Sequence, residues 1–205
     1  MSEDILDLSA MQLDALREIG NVGAGNSATA LSQIINRKIE MNVPEVAIVP
    51  LNEVPDLVGG ADAMVAGVFL RVYGKAPGSV LFFLPKDSAF YLVDTLMGRE
   101  HGSTDNLDFM DESALMEIGN ILAGAYLNAL AHFTKLTLLP SIPALAIDMA
   151  GAILSVVLVQ LGQMGDHALV IETEFLSEDD GIRGHFFLVP DPGSLETILS
   201  AVGVR

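Results

Sequence analysis

A glutamate followed three residues later by an asparagine occurs twice in apolar, glycine-rich surroundings, as Glu18/Asn21 and Glu117/Asn120, with Asp14 and Ser113 four residues ahead of the respective glutamates. At about 100° per residue the three positions of each set share one helical face. An asparagine amide has no useful pKa, so it is neither a general base nor a nucleophile in an ordinary scheme. Its carbonyl accepts from water and its NH₂ donates, which suits holding an attacking water in line with a phosphoryl group, where catalysis is mostly positioning and charge stabilisation. The glutamate cannot stabilise an anionic phosphoryl, but it can pair with a lysine on a partner and fix how the helix docks. One acid and one amide are a poor cage for Mg²⁺, so a metal would have to arrive with the substrate. The alternative is structural, with the asparagine capping or bridging backbone inside a glycine-rich helix.

The two sets belong to a longer duplication. Between Asp14–Leu31 and Ser113–Leu130, Ala15, Leu16, Glu18, Ile19, Gly20, Asn21, Ala24, Gly25, Ala30 and Leu31 each meet an identical residue at one constant offset, and Pro44 and Pro143 follow at the same interval. Such self-similarity marks an internal repeat. Glu18/Glu117 and Asn21/Asn120 match whereas Arg17/Met116 and Gly23/Leu122 do not, which favours a function for the matched pairs.

The elements that must carry these faces follow from local signals. Ser9 and Gln12 form a capping box ahead of a periodic apolar run that can continue as a helix to Arg37 and Lys38. Gly20, Gly23 and Gly25 penalise that helix, and the compensation expected is close packing against the second long helix through its Gly119, Ala123, Gly124 and Ala125. A strand over 45–49, a short helix or link over 51–58, a hairpin of 65–73 with 79–84, and a helix over 86–97 closed by Gly98 complete the first half. Residues 99–107 read as a linker. The second half repeats the order: a long helix from near Asp108 or Asp111 to about Lys135, a strand over 143–147, an apolar run over 149–164 read as helix by the repeat, a hairpin of 168–175 with 184–189, and a closing helix over 192–202. The expected fold is α/β of the α+β type. It is one domain over 1–205 built from repeats at about 9–98 and 108–203, with a six-stranded, mostly antiparallel sheet and a pseudo-twofold that turns both Glu/Asn faces outward.

Composition narrows the class. With 27 acidic against 10 basic residues and a net charge of −17, the chain supplies no basic patch for nucleic acid. There is no cysteine, and hence no disulfide or thiolate site, which suits a reducing cytoplasm. No uninterrupted apolar run reaches the roughly 18–20 residues that span a bilayer, and the N-terminus lacks a signal-peptide pattern. His101, His132, His167 and His185 have no ligand-like spacing. The expectation is a soluble, cytoplasmic chain without membrane insertion.

Two copies of [Asp/Ser]-x-x-x-Glu-x-x-Asn, each with its proline at the shared interval, resemble the CheC/CheX/FliY phosphatases of chemotaxis over essentially the whole sequence. The two-motif arrangement is similar to the CheC branch, for which neither the N-terminal peptide nor the C-terminal switch domain of FliY-type chains is expected. The resemblance implies a phosphatase acting on the aspartyl-phosphate of the response regulator CheY. Asn21 and Asn120 would orient the water, Glu18 and Glu117 would contact the regulator's lysine, and Asp14, Ser113, Pro44 and Pro143 would complete the motifs. It implies no cofactor of the protein's own, Mg²⁺ being carried by the phosphorylated regulator. It also implies reciprocal binding of the receptor deamidase CheD, and the chain is expected to be monomeric apart from such partner complexes. The alternatives are a non-catalytic scaffold like the flagellar switch and a CheD-sequestering protein. Val22-Gly23 and Asn26-Ser27 make the first copy smaller beside its motif than Ile121-Leu122 and Ala125-Tyr126, so the second site is expected to be the better packed and more active.

Overall fold

The two motif helices correspond from cap to cap. The computed structural model describes residues 9–36, 38, 40–43, 46–161, 167–176 and 181–202. Helix α1 (Ala10–Ile35) and helix α4 (Phe109–Thr134) are each 26 residues long. Ser9 and Asp108 cap them, with Gln12 and Asp111 reaching back to the cap N–H at 2.8 and 3.1 Å, so both ends of the capping box are closed in each helix. Each helix ends on a left-handed residue, Asn36 (φ 54°) and Lys135 (φ 58°). The expected continuation of α1 to Arg37 and Lys38 is therefore corrected. Asparagine tolerates the left-handed turn through its short polar side chain and stops the helix before the basic residues, of which Arg37 lies outside the described residues.

After α1 come β1 (Glu40–Asn42), β2 (Val46–Pro50), a 3-10 turn (Leu51–Glu53), the single-turn α2 (Val54–Leu57), β3 (Met64–Gly74), β4 (Gly78–Pro85) and α3 (Lys86–Met97). After α4 come β5 (Leu138–Pro140), β6 (Ala144–Met149), α5 (Ala150–Leu161), β7 (His167–Leu176), β8 (Gly181–Pro190) and α6 (Ser194–Ala201). The three-residue β1 and β5 have no counterpart in the sequence reading. The apolar run expected over 149–164 is helix as far as Leu161, and 162–164 lie outside the described residues, as does most of the turn expected between β7 and β8.

All strand pairings are antiparallel and join one sheet in the order β1-β7-β8-β4-β3-β5, with β2 also on β7 and β6 also on β3. Eight segments thus fill six positions, and each edge is shared by two of them. The halves also exchange edges: β1 and β2 of the first pair with β7 of the second, and β5 and β6 of the second pair with β3 of the first.

Side chains alternate across the sheet at the strand period of two. Val80, Phe82 and Leu84 of β4, with Phe186 and Leu188 of β8, join the core beneath α1, α3, α4 and α6. Leu81 and Phe83, with Phe187 and Val189, join a smaller core with Val54 and Val58 around α2 and with Ala150, Ile153 and Leu154 of α5. Both faces are covered, which explains why the hairpin strands read as continuous apolar runs rather than alternating ones. By length and composition α4 could cross a bilayer, although no uninterrupted apolar run is that long; half of the stretch is instead buried inside the fold, where Leu115, Ile118, Leu122, Tyr126 and Leu130 belong to the core.

Candidate active site on two helix faces

The buried side of each long helix sets where its polar side points. On α1, Leu16, Ile19 and Leu31 are at most 3% exposed, and Asp14, Glu18 and Asn21 stand exposed on the opposite side. On α4, Leu115, Ile118 and Leu122 are buried, Glu117 is exposed, and Ser113 and Asn120 are half-buried. Among the described residues, no hydrogen bond or ion pair engages the side chains of Glu18, Asn21, Glu117 or Asn120. Ser113 differs: its hydroxyl donates to the Phe109 carbonyl at 2.8 Å, a bond within its own helix. Pro143 is half-buried immediately ahead of β6, and Pro44 lies outside the described residues.

The structure separates the glycines into two kinds. A β-carbon on Gly23 would lie 2.5 Å from Tyr126 Cδ1, so α1 does lie against α4 there. Tyr126 is itself fixed, 3% exposed and stacked on Phe186 with centroids 4.3 Å apart. A β-carbon on Gly119 would lie 2.5 Å from Val68 Cγ1, so this glycine faces the sheet and not the other helix. Gly25 and Gly124, expected to pack helix to helix, meet nothing within 4 Å. They are corrected to surface positions, one turn beyond Asn21 and Asn120.

The segment 99–107, expected to be a linker, is a bonded loop that fixes the start of α4. Asp94, fully buried on α3, accepts from the Gly102 N–H at 2.7 Å, from Ser103 Oγ at 3.3 Å and from Thr104 Oγ1. Burial disfavours the charge of Asp94, yet these bonds outweigh it and hold the carboxyl below its ordinary range. Arg99 reaches Asp111 at 2.9 Å and Thr104 at 3.0 Å. Its hydrogen bond is the main cause that keeps the Asp111 carboxyl below the ordinary range despite burial. At the far end of β3, Arg71 donates to Asp191 and to Ser79 Oγ, binding the ends of three strands. Among the described residues, no group of three His, Asp or Glu side chains is placed to hold a metal ion.

Sequence reasoning missed two residues on these faces. The offset that pairs the motifs also pairs Met11 with Met110, each three positions before Asp14 or Ser113 and each largely exposed. The signal was the repeat itself, read from one turn too late.

The model of the CheC-like family matches residues 11–48 and 110–147, once over each motif helix and the chain that follows it. The chain is similar to the CheY-P phosphatase CheC of Bacillus subtilis (strain 168), with 44% identity over 196 residues that cover 94% of each chain. In fold it is similar to Thermotoga maritima FliY, with a TM-score of 0.77 and 22% identity over 96% of this chain and 98% of that one. It is similar, more distantly, to a chain of the CheX-CheY-BeF3-Mg complex from Borrelia burgdorferi, with a TM-score of 0.51 and 17% identity over 91% and 99%. With a relative this similar across nearly its whole length and a family model matched once in each repeat, the chain belongs to the CheC-like family.

Proposed function

We propose that this protein is a phosphatase that hydrolyses the aspartyl-phosphate of the response regulator CheY at two sites, one on each long helix. The observation that carries the reading is the equivalence of the two faces. The same glutamate and asparagine recur at the same distance from two matched caps, exposed or half-buried and unengaged within the chain. The similar protein of Bacillus subtilis bears the name of this activity, and the fold similarity to a CheX chain solved with CheY is compatible with it.

In this reading each asparagine holds a water with its carbonyl and steadies the phosphoryl oxygens with its NH₂, so that attack on phosphorus is in line with departure of the aspartyl oxygen. Glu18 and Glu117 pair with the regulator's lysine and set the angle of docking. Asp14 and Ser113 begin the polar face one turn earlier, and Pro143 immediately precedes the edge strand β6. The protein contributes no metal. The regulator brings Mg²⁺ with its phosphoryl group, and the protein's residues act on the water and on the partner's orientation.

The receptor deamidase CheD is a second proposed partner, resting on the family resemblance, with a monomeric chain in the cytoplasm as the form that meets both. The test of the activity is the decay of phosphorylated CheY at fixed Mg²⁺. Faster decay on adding this protein is the expected result, and an unchanged decay, with or without CheD, overturns the reading.

A further inference from the structure

The geometry points to a docking strip for the phosphorylated regulator that is longer than the Glu/Asn pair, running from Met11 to Gly25 on α1 and from Met110 to Gly124 on α4. The inference rests on the phosphatase reading and deepens it.

Positions 11, 14, 18, 21 and 25 fall within about 80° of arc and span about 21 Å along the helix, and positions 110, 113, 117, 120 and 124 do the same. Four of the five pairs are identical: Met11/Met110, Glu18/Glu117, Asn21/Asn120 and Gly25/Gly124. Elsewhere along the helices, Arg17/Met116, Asn26/Ala125, Thr29/Asn128 and Gln33/His132 have all diverged. The other identical pairs, such as Leu16/Leu115 and Ile19/Ile118, are core positions, so among the outward-facing positions identity is concentrated on one strip of each helix.

Its two ends have no use inside the chain. Met11 and Met110 are 68% and 61% exposed, although burial would be favourable for a side chain of this size. An unbranched thioether adapts to an irregular apolar surface on a partner, and it sits two turns from the glutamate, at the far end from the asparagine. Gly25 and Gly124 are costly in a helix interior and, unlike Gly23 and Gly119, have no neighbour that needs the space. Absence of a side chain there leaves open the approach to the asparagine from its C-terminal side. The methionine end anchors the regulator and the glycine end lets its backbone come close enough for the phosphoryl group to reach the amide. Phe109, 78% exposed beside Met110, adds apolar surface to the second strip.

The test uses the full chain and CheY held in its activated form by beryllofluoride and Mg²⁺, so that binding is read without hydrolysis. Two double variants are compared with wild type, Met11→Ser with Met110→Ser and Gly25→Gln with Gly124→Gln. Each is expected to weaken binding by about tenfold or more, as for a truncated anchor or an obstructed centre of an interface, while the glutamine pair melts no lower than wild type because a helix glycine has been replaced. Wild-type affinity in either pair, or no binding of activated CheY by wild type, overturns the strip. Decay of phosphorylated CheY separates this from the parent reading. Accelerated decay with unaltered binding in the variants removes the strip and leaves the phosphatase, whereas weakened binding in the variants without any acceleration by wild type keeps the strip and removes the phosphatase.

Discussion

Asn21 and Asn120 are the same residue in two environments, exposed on α1 and half-buried on α4. A half-buried amide has fewer orientations and fewer competing waters, so in the proposed mechanism the α4 site would be the better pre-organised of the two. Asn120→Ala is therefore expected to remove more of the phosphatase rate than Asn21→Ala, by a factor of about 3–10, a difference in barrier of roughly 1 kcal/mol; equal rates in the two variants would contradict it. A second prediction concerns the carboxylates that hold the start of α4. Asp94→Ala leaves the Gly102 N–H and the Ser103 and Thr104 hydroxyls without their acceptor, at a cost of about 1–3 kcal/mol. Because the Asp94 and Asp111 carboxyls titrate lower in the folded than in the unfolded chain, the stability they add is present above the ordinary aspartate value of about 3.9 and is lost as pH falls through their lower folded values. Urea unfolding of wild type and Asp94→Asn should thus differ most near pH 7 and converge below about pH 4. A gap of the same size at pH 3 would mean that the charge is not what the loop binds.

At the scale of the helix, glycine substitutions divide by what their β-carbons meet. Gly23→Ala drives a methyl into the stacked Tyr126 ring and Gly119→Ala into the branched Val68, each at about 1–3 kcal/mol of overpacking. Gly25→Ala and Gly124→Ala meet open space and should stabilise the helices by up to about 1 kcal/mol each. Thermal melts of the four variants test the division, and a lower Tm for Gly25→Ala would refute it. The sequence displayed the helices themselves well, since Ser9/Gln12 and Asp108/Asp111 are local signals and the offset supplied a second reading of each. It did not distinguish Gly23 from Gly25, because the difference lies in Tyr126, about a hundred residues away and on another helix of the repeat. Nor did it distinguish a linker from a bonded loop, because the polar residues of 99–107 that suggest a linker are the donors that Asp94 requires.

At the scale of the molecule, the exchange of edges makes each half depend on the other. The apolar runs of β3, β4, β7 and β8 were legible as hairpins, but β1 and β5 are three residues each, and nothing local to Glu40–Asn42 says that its partner is Glu174–Leu176. Residues 1–98 alone would leave β2 without β7 and β3 without β6, and 108–205 would lack the same contacts in reverse. Neither fragment is expected to give a cooperative melt by itself, and mixing the two is expected to restore one; a cooperative transition for 1–98 alone would contradict the interlocked account. What the interlocked sheet achieves is to hold two equivalent helices with their Glu/Asn faces outward. The most direct measurement is therefore the decay of phosphorylated CheY, at fixed Mg²⁺, with wild type, Asn21→Ala, Asn120→Ala and the double variant. The account predicts acceleration by wild type, partial loss in each single variant and decay at the spontaneous rate in the folded double variant. Acceleration that survives loss of both asparagines would contradict it.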